Sequence, residues 1–368
     1  MPKYIHELPD WPEFHWDTDD LLSLLSESRN LQGRLIGKME SLGFPLQNEA
    51  NLDSLTTEVL KSSEIEGEVL NPDQVRSSIA RRLGIEIAGA VPSNRDVDGV
   101  VEMMLDATQN CLEPLSAERL FNWHAALFPT GRSGMYKIRV ADWRDDSTGP
   151  MQVVSGGMGK EKVHFQAPHF SLLETEMARF IDWFNSHDAM DLVLKSGIAH
   201  FWFVTVHPFE DGNGRIARAL TDMLLAKSDQ SPFRFYSMSA QIRLKRKAYY
   251  SILEKSQKDS LDITLWLKWF LQTLIDAIKS SDITLKKVMT KAEFWEKHTA
   301  TTLNYRQRKL LNLLLDTFEG NLTSSKWAKI TKTSKDTAIR DINDLIAKNI
   351  LKKEDAGGRS TNYLLVFP

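Results

Sequence analysis

The run His207-Pro208-Phe209-Glu210-Asp211-Gly212-Asn213-Gly214-Arg215-Ile216-Ala217-Arg218 gathers an imidazole, carboxylates, two glycines and two guanidinium groups. It follows the apolar Phe203-Val204-Thr205-Val206 and leads into a periodic stretch from Ile216 to Ala226, so one helix ends and another begins around it. Gly212 and Gly214 let consecutive amide N–H groups approach an anion without a Cβ in the way. The first turn of the following helix adds open N–H donors and the positive end of its dipole, which suits the phosphates of a nucleotide. Arg215 and Arg218 share one face of that helix and offer forked donors to phosphate oxygens. Asp211 is a hard oxygen ligand of the kind Mg2+ takes when it bridges phosphates. His207 stands where a neutral imidazole takes a proton from a hydroxyl attacking phosphorus. Singly, each of these residues suits an ordinary helix connection; their concentration in one short string points to chemistry on a nucleotide.

That string matches, at every defined position, the signature His-x-Phe-x-Asp/Glu-Gly-Asn-Gly-Arg-x-x-Arg, and the chain resembles the Fic family over about residues 100–280. The resemblance implies transfer of AMP from ATP to a Ser, Thr or Tyr hydroxyl of a target protein, or of the enzyme itself, with pyrophosphate leaving and Mg2+ on the α- and β-phosphates. Carried onto this sequence, it makes His207 the catalytic base and Asp211 the metal ligand. Gly212, Asn213, Gly214 and Arg215 become the phosphate cradle, and Arg218 the partner of the β- and γ-phosphates. The segment Gly134 to Val154 resembles the flap that aligns a target peptide by strand addition, with Met151, Gln152, Val153 and Val154 as contact residues or as ordinary hairpin residues. Tyr249-Tyr250 resemble the tyrosines that border the adenine in relatives; packing in the core is the other reading.

Upstream, Ser62-Ser63-Glu64-Ile65-Glu66-Gly67 matches the inhibitory signature Ser/Thr-x-x-x-Glu-Gly/Asn of the same family, in the subgroup that carries its inhibitory helix at the N-terminus. Ser62 and Glu66 share a helix face, and Gly67 lets the chain turn away directly after the glutamate. The resemblance implies that Glu66 pairs with Arg218 and takes the donors the γ-phosphate needs, so ATP is held in a pose that hides its α-phosphate from His207. It also permits Glu66 a second use, positioning a water that removes AMP from a modified protein. Other enzyme classes lack support: there is no Gly-x-Ser-x-Gly elbow, zinc-binding His-Glu-x-x-His or Walker-A lysine loop, and Gly157-Met158-Gly159 lacks the third glycine of a dinucleotide fingerprint. A competing reading is a DNA-binding regulator whose Fic-like domain only senses nucleotide.

The elements that must position these groups are mostly helical: apolar residues recur at three- and four-residue spacing, and extended stretches are short. An opening helical region over about residues 17–90 breaks at Gly43 to Pro45, resumes as a helix over about Leu52 to Glu66, and restarts at Asn71-Pro72. Helices are then expected at Asp98 to Cys111, Ser116 to Leu127, Leu172 to Asn185, Asp188 to Val206, Asn213 to Lys227, Ser239 to Ser256 and Leu261 to Ile278. The interruption between Gly131 and Pro168, rich in glycines that include Gly156, Gly157 and Gly159, reads as a β-hairpin flap built from Lys137 to Val140 and Met151 to Val154. The tail has helices at Tyr305 to Phe318, Ser325 to Thr331 and Ser334 to Asn349. A turn through Lys352 to Arg359 then joins Ile350 to Lys353 with Asn362 to Val366, the order of a winged helix-turn-helix.

The expected fold class is therefore mainly α: a Fic-type helical bundle with a hairpin flap and a small C-terminal winged-helix domain. The partition is residues 1–95 carrying the inhibitory helix, 96–280 the catalytic domain, 281–303 a helical linker and 304–368 the winged helix. At 368 residues, 42% hydrophobic and 26% charged, with a formal net charge of −3, the chain has the balance of a soluble globular protein. DNA contact would rest on local charge such as Lys326, Lys329, Lys332, Lys335, Arg340 and Arg359, diluted by neighbouring acids; protein docking is the other use of such a module. Cys111, the one cysteine, reads as a small buried hydrophobe in a reducing, cytoplasmic setting. The N-terminus lacks a secretory pattern, and Leu261 to Ile278 carries Asp262, Lys268 and Asp276, so no membrane contact is expected. Relatives often form homodimers, and the amphipathic opening helices are a candidate interface.

Overall fold

The computed structural model describes residues 3–40, 43–87, 89–147, 149–156, 162–187, 189–316, 318, 320–354 and 361–366; Gly157, Gly159, Asp188 and the turn residues Asp355 to Arg359 lie outside them. Helices dominate the described residues: α1 (Thr18–Glu40), α2 (Phe44–Ile65), α3 (Pro72–Leu83), α4 (Arg95–Gln109), α5 (Ala117–Leu127), α6 (Leu173–Asn185), α7 (Leu192–Val206), α8 (Asn213–Asp229), α9 (Met238–Leu244), α10 (Arg246–Ser256), α11 (Thr264–Lys297), α12 (Tyr305–Asp316), α13 (Ser324–Thr331) and α14 (Lys335–Ala347). Three two-stranded antiparallel ribbons complete it: β1 (Arg132–Ser133) with β2 (Tyr136–Lys137), β3 (Gln152–Ser155) with β4 (Lys162–Gln166), and β5 (Leu351–Lys353) with β6 (Tyr363–Leu365). The chain divides into two compact units, residues 1–86 with 90–282 and residues 87–89 with 283–368.

In the first unit α7 is apolar on every side and buried from Val193 to Val206, as a helix enclosed by others must be. It packs along α8, and α4, α5 and α2 also lean on α8, so the loop between α7 and α8 is fixed from several directions. One buried polar network in this bundle joins α1, α2, α8 and the segment before α9. Arg234 donates to Asp222 (2.6 Å) and Asp229 (3.0 Å), while Tyr236 and Gln32 of α1 also donate to Asp229. Burial, with Glu58 facing it, pushes the Asp222 carboxyl up, against the pull of Arg234. Glu58 in turn ties α2 to the start of α9 by accepting from the Ser237 hydroxyl and the Ser239 amide. Replacing Arg234 with methionine strips two enclosed acids of their counter-charge. We expect a loss of about 3–5 kcal/mol in urea-unfolding stability at pH 7.5; a loss below about 1 kcal/mol would mean the network carries no net ion pairing.

Several boundaries differ from the sequence expectation. Helix α2 begins at Phe44, because a proline in the first turn starts a helix as readily as it breaks one. The expected helix Ser239 to Ser256 is two, α9 and α10, with Lys245 (φ −102°, ψ 24°) capping both. Helix α11 runs unbroken past the expected linker start to Lys297. The flap is paired differently too: β3 takes β4 as its partner, while Lys137 belongs to the tight β1–β2 ribbon. The reason is burial. Phe165 of β4 is 2% exposed and packs with Tyr4 and Ala167, against which Met151 and Val153 also lie. The stretch after Lys137 instead spends its charges on local pairs, Arg139 with Asp142 and Asp145.

The second unit has its own core of Phe294, Leu310, Leu311, Trp327, Ile342, Leu345, Ile350 and Tyr363, among others. Thr323 and Ser334 cap α13 and α14 through their hydroxyls, and Arg306 holds Asp341 with two bonds of 2.8 and 2.9 Å. Helices α12, α13 and α14 and the β5–β6 ribbon fall within a residue or two of the expected bounds.

Candidate functional site

Helix α7 ends where His207 adopts the left-handed conformation, φ 51°, ψ 58°, its N–H bonded to the Phe203 carbonyl at 2.9 Å. A side-chain-bearing residue in this region costs about 1–2 kcal/mol, so something must hold it there. Arg144, itself 4% exposed, does: its Nε donates to the His207 carbonyl (2.8 Å), its Nη2 to the Pro168 carbonyl (2.6 Å), and its amide to the Pro208 carbonyl (2.9 Å). Burial pushes its pKa down to about 10. His207 Nδ1 lies 3.2 Å from the Val204 carbonyl, which can only accept, so Nδ1 carries the proton and Nε2 keeps its lone pair. No protein group among the described residues bonds to Nε2. Burial pushes the pKa down to about 4, against the pull of the Val204 bond, and the imidazole is neutral at pH 7.

The loop that follows closes on itself: Asn213 donates to the Phe209 carbonyl (2.7 Å) and accepts from the Phe209 amide (3.0 Å). Phe209 is fully buried and stacks on His124 with ring centroids 4.2 Å apart. His124 Nδ1 accepts from the Ala141 amide, which leaves Nε2–H to donate to the Asp211 carbonyl (3.2 Å). The Asp211 carboxylate accepts from the Gly212 amide (2.6 Å) and the Ser133 hydroxyl. Helix α8 then starts with Gly212 at φ 82° and no side-chain cap, leaving its first-turn N–H groups for an outside acceptor. Among the described residues no three His, Cys, Asp or Glu side chains cluster as metal ligands, so a cation beside Asp211 would need further oxygens from substrate and water.

Two arginines and two glutamates meet at this helix start. Arg218, 2% exposed, donates Nε to the Ser62 hydroxyl (2.8 Å) and Nη2 to both the Ser62 carbonyl (2.9 Å) and Glu66 Oε1 (2.8 Å). Glu66 is the C-cap residue of α2, and its carboxylate lies against Gly214: a Cβ there would fall inside the envelope of Oε1. Glycine at 214, inside α8, gives the Glu66 carboxylate this close approach; a larger residue there would push the end of the Glu66 side chain aside. Arg215, also 2% exposed, donates to Glu68 Oε2 at 2.6 Å, and Arg215 Nε and Arg218 Nη1 are enclosed without an acceptor.

The remaining expected residues divide. Tyr249 is 2% exposed, packed in the core with its hydroxyl bonded to His200 and its ring among Trp266 and Trp269, and it also feels the charge of Arg218; Tyr250, 37% exposed, lies under Arg246. Met151 and Val153 pack toward Tyr4 and Phe165, Gln152 donates to Gln166, and Val154 is exposed. The base of this hairpin reaches the site through Arg144. The Ala167 amide bonds the Met151 carbonyl, and the next residue, Pro168, shares Arg144 with His207. Sequence reasoning missed Arg144, His124 and Ser133, which arrive from a loop, a helix and a short strand far along the chain and carry no spacing signal; it missed Glu68 as well, which lies just outside the brake signature.

The buried histidines set an acid limit. His124 and His207 are pushed down to about 4 and His200 to about 3, each chiefly by desolvation. Their contribution to stability is complete above the unfolded value near 6.5 and is lost as pH falls toward the folded values. The thermal midpoint is expected to be level between pH 7 and 8 and to fall steeply between pH 6 and 4. A midpoint unchanged at pH 4.5 would show that these rings charge without penalty.

Comparison with known proteins agrees with the fold. Residues 114–225 match the Fic/DOC family, and residues 4–85 match a domain of unknown function, DUF4172. The protein adenylyltransferase fic-1 of Caenorhabditis briggsae is 41% identical over 68 residues, 18% of this chain and 13% of that protein. Protein adenylyltransferase Fic of Drosophila willistoni is 43% identical over 58 residues, 15% and 12%. The matches thus span about an eighth of these relatives. A Fic family protein from Desulfovibrio desulfuricans superposes with a TM-score of 0.53 at 20% identity, covering 96% of this chain and 97% of that one. A Fic domain containing signaling protein from Bacteroides thetaiotaomicron gives 0.51 at 18% identity, covering 73% and 97%. The fold is mainly helical and of the Fic type.

Proposed function

We propose that this chain is a protein adenylyltransferase, moving AMP from ATP to a hydroxyl of a target protein. The observation that carries the reading is a neutral imidazole whose Nε2 has no partner among the described residues, in the loop that leads to a helix start where two enclosed arginines each keep an N–H group without an acceptor. That is a general base next to an anion site. In the reaction the target hydroxyl gives its proton to His207 Nε2 as its oxygen bonds to the α-phosphorus. The bond from that phosphorus to the bridging oxygen breaks, and pyrophosphate leaves. Asp211 would hold Mg2+, which would neutralise phosphate charge when bound. Arg215 and Arg218 bind the phosphates, Tyr250 borders the adenine, and β3 offers a backbone edge to the target with Val154 beside it. Glu66 on Arg218 keeps the enzyme off. Residues 96–280 then act as the catalytic domain, with the preceding region as its brake and residues 304–368 as a docking module.

The test is labelling with ATP radioactive at the α-phosphate. Glu66→Gly should label itself or a lysate protein, and Glu66→Gly/His207→Ala should not. Silence of the glycine variant across lysates with Mg2+ present would sink the proposal.

A further inference from the structure

The arginine nearer the loop has a guard of its own. Arg215 bonds Glu68 Oε2 at 2.6 Å, and its Nε, enclosed, has no acceptor. Gly67, at φ 89°, reverses the chain so that the Glu68 amide bonds the Ser63 carbonyl (3.0 Å). This turn sends Glu66 to Arg218 and Glu68 to Arg215, so two carboxylates flanking one glycine engage two guanidinium groups one turn apart on α8. The guanidinium of Arg215 also lies over the Phe128 ring, 5.0 Å from its centroid, which leaves it little room to serve glutamate and phosphate at once.

We propose that Glu68 is a second lock on the same site, holding Arg215 away from the nucleotide phosphates independently of Glu66. The proposal rests on reading the site as a nucleotide site. Full activity then requires the whole turn Glu66-Gly67-Glu68 to withdraw, because removing Glu66 alone frees only Arg218. A partner that lifts the end of α2 would open both locks in one motion.

The experiment compares Glu66→Gly, Glu68→Gln, Glu68→Asp and the double variants Glu66→Gly/Glu68→Gln and Glu66→Gly/Glu68→Asp. It uses labelled ATP for transfer and α,β-methylene ATP for binding by calorimetry. Glu68 has a half-exposed side chain, so these variants should fold, and the thermal midpoint checks it. Both double variants should transfer AMP about five- to tenfold faster than Glu66→Gly and bind the analogue tighter by a similar factor. Glu68→Gln alone should change transfer little, since Arg218 stays engaged. Double variants equal to or slower than Glu66→Gly, with unchanged or weaker binding, would overturn the lock and make Glu68 a support for Arg215. If no variant transfers AMP, the adenylyltransferase reading fails. The calorimetry then judges the lock by itself: tighter analogue binding upholds it, and unchanged binding removes it.

Discussion

Glu66→Gly is expected to raise AMP transfer about 30- to 150-fold over the wild-type chain. The expectation follows from what Arg218 loses. Its Nη2 shares one N–H with a carboxylate at 2.8 Å in a setting where the guanidinium is 2% exposed. A charge-assisted bond of that kind contributes about 2–3 kcal/mol, and each 1.36 kcal/mol is a factor of ten in the fraction of molecules with the fork free. The Glu66 side chain keeps 29% of its surface, which screens the pair and favours the lower end. The fold should tolerate the change, because Ser62 still accepts two bonds from Arg218. Glu66→Gln, which keeps an acceptor but no charge, should fall between the two. The gain should lie in kcat more than in KM for ATP, since Glu66 governs the pose of the nucleotide and Arg218 Nη1 lacks an acceptor in the braked form as well. Equal labelling by wild type and Glu66→Gly would remove the brake and leave the transferase standing.

What the sequence disclosed and what it withheld divide along one physical line. Groups that act on neighbours a few residues away were legible, because spacing alone fixes their geometry. The helix start after Gly212 and the shared face of Ser62 and Glu66 are of this kind. Groups that act across the chain were not. Arg144 reaches the His207 carbonyl over 63 residues and His124 reaches Asp211 over 87, from a loop and a helix whose local patterns say nothing of either. The partner of β3 was hidden for the same reason: the burial of Phe165 that selects β4 depends on Tyr4, at the far end of the sequence. Tyr249 and Tyr250 show the limit even for adjacent residues. Successive positions on a helix point about 100° apart, so one ring enters the core and the other reaches solvent. The helical class itself needed only periodicity, which is why it was the most accessible feature.

The base should show itself most sharply in its pH dependence. In the Glu66→Gly background, His207→Ala is expected to lower transfer by about 10²- to 10⁴-fold, the usual worth of a positioned base. An imidazole with its ordinary value would lose activity below pH 6.5, where it takes up a proton and can accept no other. Here desolvation pushes the value down to about 4, so protonation comes later and kcat/KM, which reports the free enzyme, should be level from pH 8 to about 5 before it falls. Bound triphosphate adds negative charge beside the ring and favours the imidazolium. The acid limb of kcat should therefore lie above that of kcat/KM. Circular dichroism at each pH separates this loss from the unfolding expected in the same range. A kcat/KM limb near 6.5 in folded protein would mean either that the ring is wetter than its surroundings in the bundle allow or that a different group takes the proton.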